Sequence, residues 1–194
     1  MYLRFKWHFA GLYRKSRCPS LSITEDKYAS KRKELETLQR SRINNISDRV
    51  HPNCVICSPA NLRGLQLEFN LGADGSITAT FTCDKALEGY PGVVHGGIVS
   101  SILDGAMGHC MFSRGQAVVT VELTTRFRHP VVTNQQATVF AHITRLSHPL
   151  CLLEAEIVQD GKVKATAKGK FFNQREKSIP HGLTYTLCQT SNRH

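Results

Sequence analysis

Gly89-Tyr90-Pro91-Gly92-Val93-Val94-His95-Gly96-Gly97-Ile98 opens the segment that decides the fold, which runs on to Phe112. The first four residues are a Gly- and Pro-rich turn. From Val94 onward, Ile98, Val99, Ile102, Leu103, Ala106, Met107, Cys110 and Met111 recur at helical spacing and predict a helix over roughly Val94 to Phe112 with a broad apolar stripe. Gly97, Ser101, Asp104 and Gly108 follow a second line at steps of four, three and four. One face is therefore greasy, and the other is small and polar with one carboxylate on it.

Either side of this helix the period is that of strands. Leu65, Leu67 and Phe69 alternate with Gln66, Glu68 and Asn70; Asp74-Gly75 then signals a hairpin, with Ile77 to Cys83 returning. Four strands are expected after the helix. In the first, Val119, Val121, Leu123, Thr125 and Phe127 face one way, and Thr120, Glu122, Thr124, Arg126 and Arg128 the other. The second places Ala137, Val139, Ala141 and Ile143 on one face, and the third runs from about Cys151 to Gln159. Asp160-Gly161 turns into the fourth, where Val163, Ala165, Ala167, Gly169 and Phe171 alternate with polar residues. Such alternation indicates antiparallel strands with one face buried. Two strands, a long helix and four strands read as an α+β fold, a curled antiparallel sheet wrapped around one long central helix.

The composition bounds the remainder. An apolar fraction of 41% excludes a wholly disordered chain. No apolar run approaches the ~20 residues of a membrane span, so no stable membrane insertion is expected. The net charge of +10 is uneven: residues 1–50 carry 12 Lys and Arg against 5 Asp and Glu, and residues 51–194 carry 13 against 10. No helix-turn-helix, zinc-finger or RNA-binding signature accompanies that charge, so no nucleic-acid partner is expected. Residues 1–50 read as a basic extension, partly helical or disordered, 51–178 as the folded domain and 179–194 as a polar tail. The first 24 residues lack acidic residues and interleave Arg4, Lys6, Arg14, Lys15 and Arg17 with aromatics, the pattern of a presequence, a surface-binding segment or an unstructured extension. The start shows no apolar core of a secretory signal, and the seven cysteines are odd in number. Reduced thiols in a cytoplasmic setting are the expectation, with a mitochondrial one as the alternative should the N-terminus be a presequence.

His95-Gly96-Gly97 at a helix start, Asp104 nine residues after the His, and Thr120 ten residues before Pro130 together resemble the hotdog-fold thioesterases, in particular the PaaI-like acyl-CoA thioesterase group. The resemblance covers roughly residues 51–173 and extends to the lead-in Cys54-Val55-Ile56-Cys57-Ser58-Pro59-Ala60-Asn61. It implies a hotdog fold, an acyl- or aryl-CoA substrate, a homodimer or a tetramer built as a dimer of dimers, and no cofactor beyond the coenzyme A of the substrate. Where some relatives carry an Asn six residues before the His, this chain has Gly89, which leaves carbonyl polarisation to the backbone.

Thioester hydrolysis requires an oxyanion site and a group that activates water or attacks the carbonyl. The first turn of a helix offers free N–H groups and partial positive charge. Gly96 and Gly97 let a carbonyl approach those groups closely, or let the helix pack tightly. Asp104, mid-helix beside an apolar stripe, is a candidate general base or nucleophile. It lies eight residues from Gly96, about 12 Å along the axis, so one chain cannot bring both to one thioester carbon. A second, antiparallel copy of the helix would, which places the site at a two-fold interface. His95 is expected to orient substrate or bond the turn, and Thr120 to position water or Asp104. Tyr90, Val94, Arg126, Arg128 and Lys168 are candidate substrate contacts, the basic residues (with Lys170) toward the phosphates of coenzyme A.

His51, Cys54 and Cys57 resemble half of a zinc site without a visible second half. A turn with buried thiols and no metal is the expectation. Two other activities use this fold. A non-catalytic acyl-CoA or acyl-carrier binding dimer would not need Asp104, and a hotdog dehydratase would space its acid and His differently.

Overall fold

The computed structural model describes residues 28, 30, 31, 34, 37 and 46–173. The basic first 24 residues and the polar tail anticipated after 178 lie outside the described residues. Two compact units divide between Leu35 and Glu36. In the first, the described Tyr28, Ser30, Lys31 and Glu34 are helical. The second carries everything below.

Among the described residues, this unit contains eight strands and one long helix: β1 (Asn70–Leu71), β2 (Ile77–Thr82), β3 (Glu88–Tyr90), β4 (Val93–Val94), helix α1 (Gly96–Phe112), β5 (Val118–Phe127), β6 (Gln136–Ser147), β7 (Leu150–Gln159) and β8 (Lys162–Asn173), with a short helical segment at 46–50 and a single 3-10 turn at Lys85–Leu87. A six-stranded sheet in the order β1-β2-β6-β7-β8-β5, antiparallel throughout, curls around α1, and β3 and β4 form a separate small hairpin. Helix α1 packs on β2 and on β5 to β8. Its stripe of Val99, Ile102, Leu103, Ala106, Met107, Cys110 and Met111 is buried, as the spacing predicts. Each large side chain so buried is worth about 1.5–3 kcal/mol. The facing layer is Ile77 and Ala79 of β2, Val139 and Ala141 of β6, Leu153 and Ile157 of β7, and Ala165, Ala167 and Phe171 of β8.

The turns follow their sequences. Pro91-Gly92 closes the β3–β4 hairpin with Gly92 at φ 79°, where a β-carbon would be strained. Asp160 and Gly161, at φ 53° and 68°, join β7 to β8 with the two positive angles that match strand twist.

Two parts of the fold differ from the sequence reading. Leu67 and Phe69 are buried in alternation, but only Asn70–Leu71 pairs with β2. The preceding residues bond the lead-in instead, with Leu65 N–H donating to Val55 O (2.7 Å) and Leu67 N–H to Ile56 O (2.8 Å). Alternation reports burial on one side and does not name the backbone that does the pairing. The second difference is in β5. Thr120 pairs with Phe171 and Glu122 with Lys170, so Val121 is an extra residue, a β-bulge. Cross-strand partners share a face. Thr120, opposite Phe171, therefore faces the helix together with Leu123, opposite Gly169. Arg126, opposite Thr166, faces away. The expectation that Thr120 shares a face with Arg126 is thus corrected: one inserted residue reverses the alternation.

Candidate active site

The start of α1 is built around His95. It is the N-cap, and its Nδ1 accepts the Gly97 N–H at 3.0 Å. Its own N–H donates to Leu87 O (2.8 Å), and its carbonyl accepts from Ile98 and Val99. The ring is flanked by glycines. A β-carbon at Gly97 would lie 3.0 Å from His95 Nδ1, and one at Gly89 would lie 2.9 Å from His95 Cδ2. Gly89 is thus required by the close approach of the imidazole, which accounts for the missing side chain at that position. The reading of both helix-start glycines as free donors is corrected here. The Gly97 N–H is taken by the imidazole, whereas the Gly96 N–H has no acceptor among the described residues.

Gly96 opens onto a cleft of about 690 Å³. Tyr90, Val94, His95, Gly96 and Arg128 line it, so the structure brings these expected residues together. Val94 is buried and Tyr90 exposed. Phe127, not anticipated, packs its ring 3.3 Å from where a Gly96 β-carbon would sit. Two polar clamps hold the walls, and neither was anticipated. Glu88 Oε1 accepts both the Gly92 N–H (3.0 Å) and the Thr133 hydroxyl (3.1 Å). Gln159 reaches from the end of β7 to bond both backbone groups of Val132. A signal existed for Gln159, because the alternation of β7 puts position 159 inside, where a polar side chain must find partners.

Asp104 stands two turns along α1, outside this cleft. The Thr120 hydroxyl donates to its Oδ1 at 2.7 Å, a contact made by the bulged start of β5. Burial pushes the Asp104 carboxyl up from its ordinary range, and the Thr120 bond opposes that. Ser101 donates its hydroxyl to Gly97 O (2.8 Å) and so satisfies its own helix. Further along, His109 is buried, stacked on Phe69 at 4.0 Å, and held neutral by burial, with a pKa lowered to about 4.

The expected phosphate contacts are divided. Arg128 borders both the helix-start cleft and a groove on the outer face of the sheet, and Arg126 and Lys168 line only the latter. There Lys168 pairs with Glu154 (2.8 Å) and Lys170 with Glu122 (2.5 Å). In the lead-in turn, the ligand atoms of His51, Cys54 and Cys57 all lie within 4.8 Å of one another, and both cysteines, like the other described ones, are free thiols. The neighbouring Cys57 thiol and His51 imidazole lower Cys54 to about 3, while proximity to Cys54 and burial push the Cys57 thiol up. No helix among the described residues is long and apolar enough to cross a membrane.

A curled antiparallel sheet on one long helix, with His-Gly-Gly at the helix start, defines the hotdog class. Residues 91–166 match the thioesterase superfamily. The resemblance to PaaI-like hotdog thioesterases read from the sequence is borne out. In Rattus norvegicus the acyl-coenzyme A thioesterase THEM4 is 37% identical over 59 residues, a stretch covering 30% of this chain and 25% of that protein. The match thus spans about a quarter of the curated relative's length. Among solved structures, the E. coli PaaI protein of the phenylacetic acid degradation operon superposes with a TM-score of 0.59 at 19% identity, over 72% of this chain and 96% of that one. A thioesterase protein from Streptococcus pneumoniae TIGR4, solved with coenzyme A, gives 0.54 at 20% identity, over 58% and 91%.

Proposed function

We propose that this protein is an acyl-CoA thioesterase that hydrolyses the thioester of an acyl- or aryl-CoA to the free acid and coenzyme A. The observation that carries this reading is Asp104: a half-buried carboxylate, its pKa raised by burial, hydrogen-bonded by Thr120 and placed on the central helix within the stretch that matches the thioesterase superfamily. A carboxylate with no catalytic task would gain by being solvated. One so placed is poised as a general base toward water, or as a nucleophile toward the carbonyl. The Gly96 N–H, free at the positive end of α1, suits the developing oxyanion. The cleft beside it accommodates the acyl group or pantetheine arm, with Arg128 at its mouth toward phosphate. The 59-residue match to the rat thioesterase, and the coenzyme A in the pneumococcal structure, support the substrate class.

Gly96 and Asp104 remain about 12 Å apart along one helix, so the reaction needs a homodimer in which Asp104 serves the partner's Gly96. A hydrolysis panel from acetyl- to palmitoyl-CoA plus aryl thioesters tests the activity. Mixing the inactive Asp104→Ala and Gly96→Val chains tests the architecture, because a heterodimer restores one intact site of two. Activity that fails to return, with heterodimers present, would place the site within one chain. Tight acyl-CoA binding without turnover by the wild type would favour a non-catalytic binding dimer.

A further inference from the structure

The lead-in to the domain carries chemistry that thioester hydrolysis does not use. Residues 51–58 form a tight turn: Cys54 N–H donates to His51 O (3.2 Å) and Ser58 N–H to Cys54 O (3.1 Å). Ile56 N–H donates to Cys54 Sγ at 3.4 Å, a bond that favours sulfur as thiolate. The Ser47 hydroxyl lies 3.5 Å from Cys57 Sγ. His51 Nδ1 is buried without a hydrogen-bond partner. A buried polar atom left unpaired costs about 1–3 kcal/mol and calls for an explanation.

We propose that His51, Cys54 and Cys57 bind one zinc-class divalent cation. The residue types are right: two thiols and an imidazole select zinc over the oxygen-seeking Mg²⁺ and Ca²⁺. The spacing is right as well. Ligands at ~2.3 Å (S) and ~2.0 Å (N) in a tetrahedron lie about 3.5–3.8 Å from one another, and these lie within 4.8 Å before any cation draws them in. The support is rigid. The His51 ring is edge-on to Phe112 at 4.9 Å, and Ile56 is pressed on Gly105, where a β-carbon would meet it at 2.8 Å. A Cys54–Cys57 disulfide would use the two sulfurs and leave the imidazole as it is, whereas a cation engages all three. Three protein ligands leave one coordination position for water or an added ligand. Bound there, the ion cross-links the lead-in turn, whose His51 and Ile56 pack against α1, and so stabilises the folded domain.

The test uses the full chain, reduced and freed of metal, then titrated with Co²⁺. The expected result is a thiolate-to-cobalt charge-transfer absorption that saturates at one equivalent and is abolished by Zn²⁺. Loading with Zn²⁺ should also protect Cys54 and Cys57 from iodoacetamide in the wild type and raise its Tm. Cys54→Ser/Cys57→Ser and His51→Ala should lose or weaken the cobalt signal. No charge-transfer absorption in the reduced wild type, equal alkylation with and without Zn²⁺, or an undiminished signal in the double variant would overturn the proposal. The wild-type measurements decide even if a variant fails to fold, and all are independent of thioesterase turnover.

Discussion

Replacing Gln159 with Leu tests how the cleft is held. Gln159 is 2% exposed. Its Oε1 accepts the Val132 N–H at 2.8 Å, and its Nε2 donates to Val132 O at 2.9 Å and toward Cys83 Sγ at 3.7 Å. The carboxamide acts as one extra rung of sheet. Val132 sits between Val131, whose carbonyl accepts from Val94 (2.9 Å), and Thr133, whose N–H donates to Gly92 O (3.0 Å). The same rung therefore ties β7 to the wall of the cleft. Leucine fills similar space but leaves a donor and an acceptor on Val132 unpaired, at about 1–3 kcal/mol each. Val132 is only half-buried, so water recovers part of this, and a loss in the lower half of ~2–6 kcal/mol is expected. That is a large share of the ~5–15 kcal/mol a domain possesses. Gln159→Glu keeps the acceptor, loses the donor and buries a carboxylate. Its folded pKa must rise, so its stability is greatest at low pH and falls as pH climbs through that value. Urea denaturation of the three proteins at neutral and mildly acidic pH measures both effects. A Gln159→Leu protein within ~1 kcal/mol of wild type at an unchanged m-value would refute the clamp.

Asp104→Asn should lower kcat by about 10²-fold or more, read by release of free coenzyme A. The same variant should be more stable than wild type at neutral pH. The raised carboxyl binds its proton more tightly when folded, so its favourable contribution is present at low pH and lost as pH rises through the folded value. The gain should vanish in melts as pH falls toward the ordinary Asp value of 3.8. Thr120→Val should move the acidic limb of the kcat profile to higher pH and lower kcat by about tenfold, the low end for a charge-assisted bond at an exposed site, whereas Thr120→Ser should retain both; an unmoved limb would count against Thr120 as the positioning residue. His95→Ala should cost about 1 kcal/mol in urea melts, and His95→Asn, which can still accept the Gly97 N–H, should recover most of it.

What was legible in the sequence was whatever rests on period. The stripe of α1 from Val99 to Met111 and the inward rows of β6, β7 and β8 are repeated burial choices, and repetition is what a single sequence displays. What was hidden rests on single contacts. Nothing local to Leu65–Phe69 says that its partner is the backbone at 55–56 and not β2. Nothing in His-Gly-Gly says which glycine N–H the imidazole will take. The spacing of His51, Cys54 and Cys57 shows half a site, because a sequence displays spacing and not the turn that brings three ligand atoms within 4.8 Å.

Thr120 shows how a role can be anticipated from the wrong geometry. Read as unbroken alternation, β5 puts Thr120 on the face of Arg126, away from Leu123 and from the helix, where its hydroxyl could not reach Asp104. The extra residue at Val121 changes this, letting Thr120 oppose the buried Phe171 while Arg126 opposes Thr166 on the outer face. One strand thereby serves two chemistries: its start supplies the hydroxyl at 2.7 Å from Asp104, and its end carries Arg126 toward solvent and Phe127 against Gly96. A regular strand could not do both, because period two would force positions 120 and 126 to the same side. The bulge is therefore what couples the carboxylate of α1 to β5, and it leaves no mark in composition or period beyond one apolar residue, Val121, that ends up exposed.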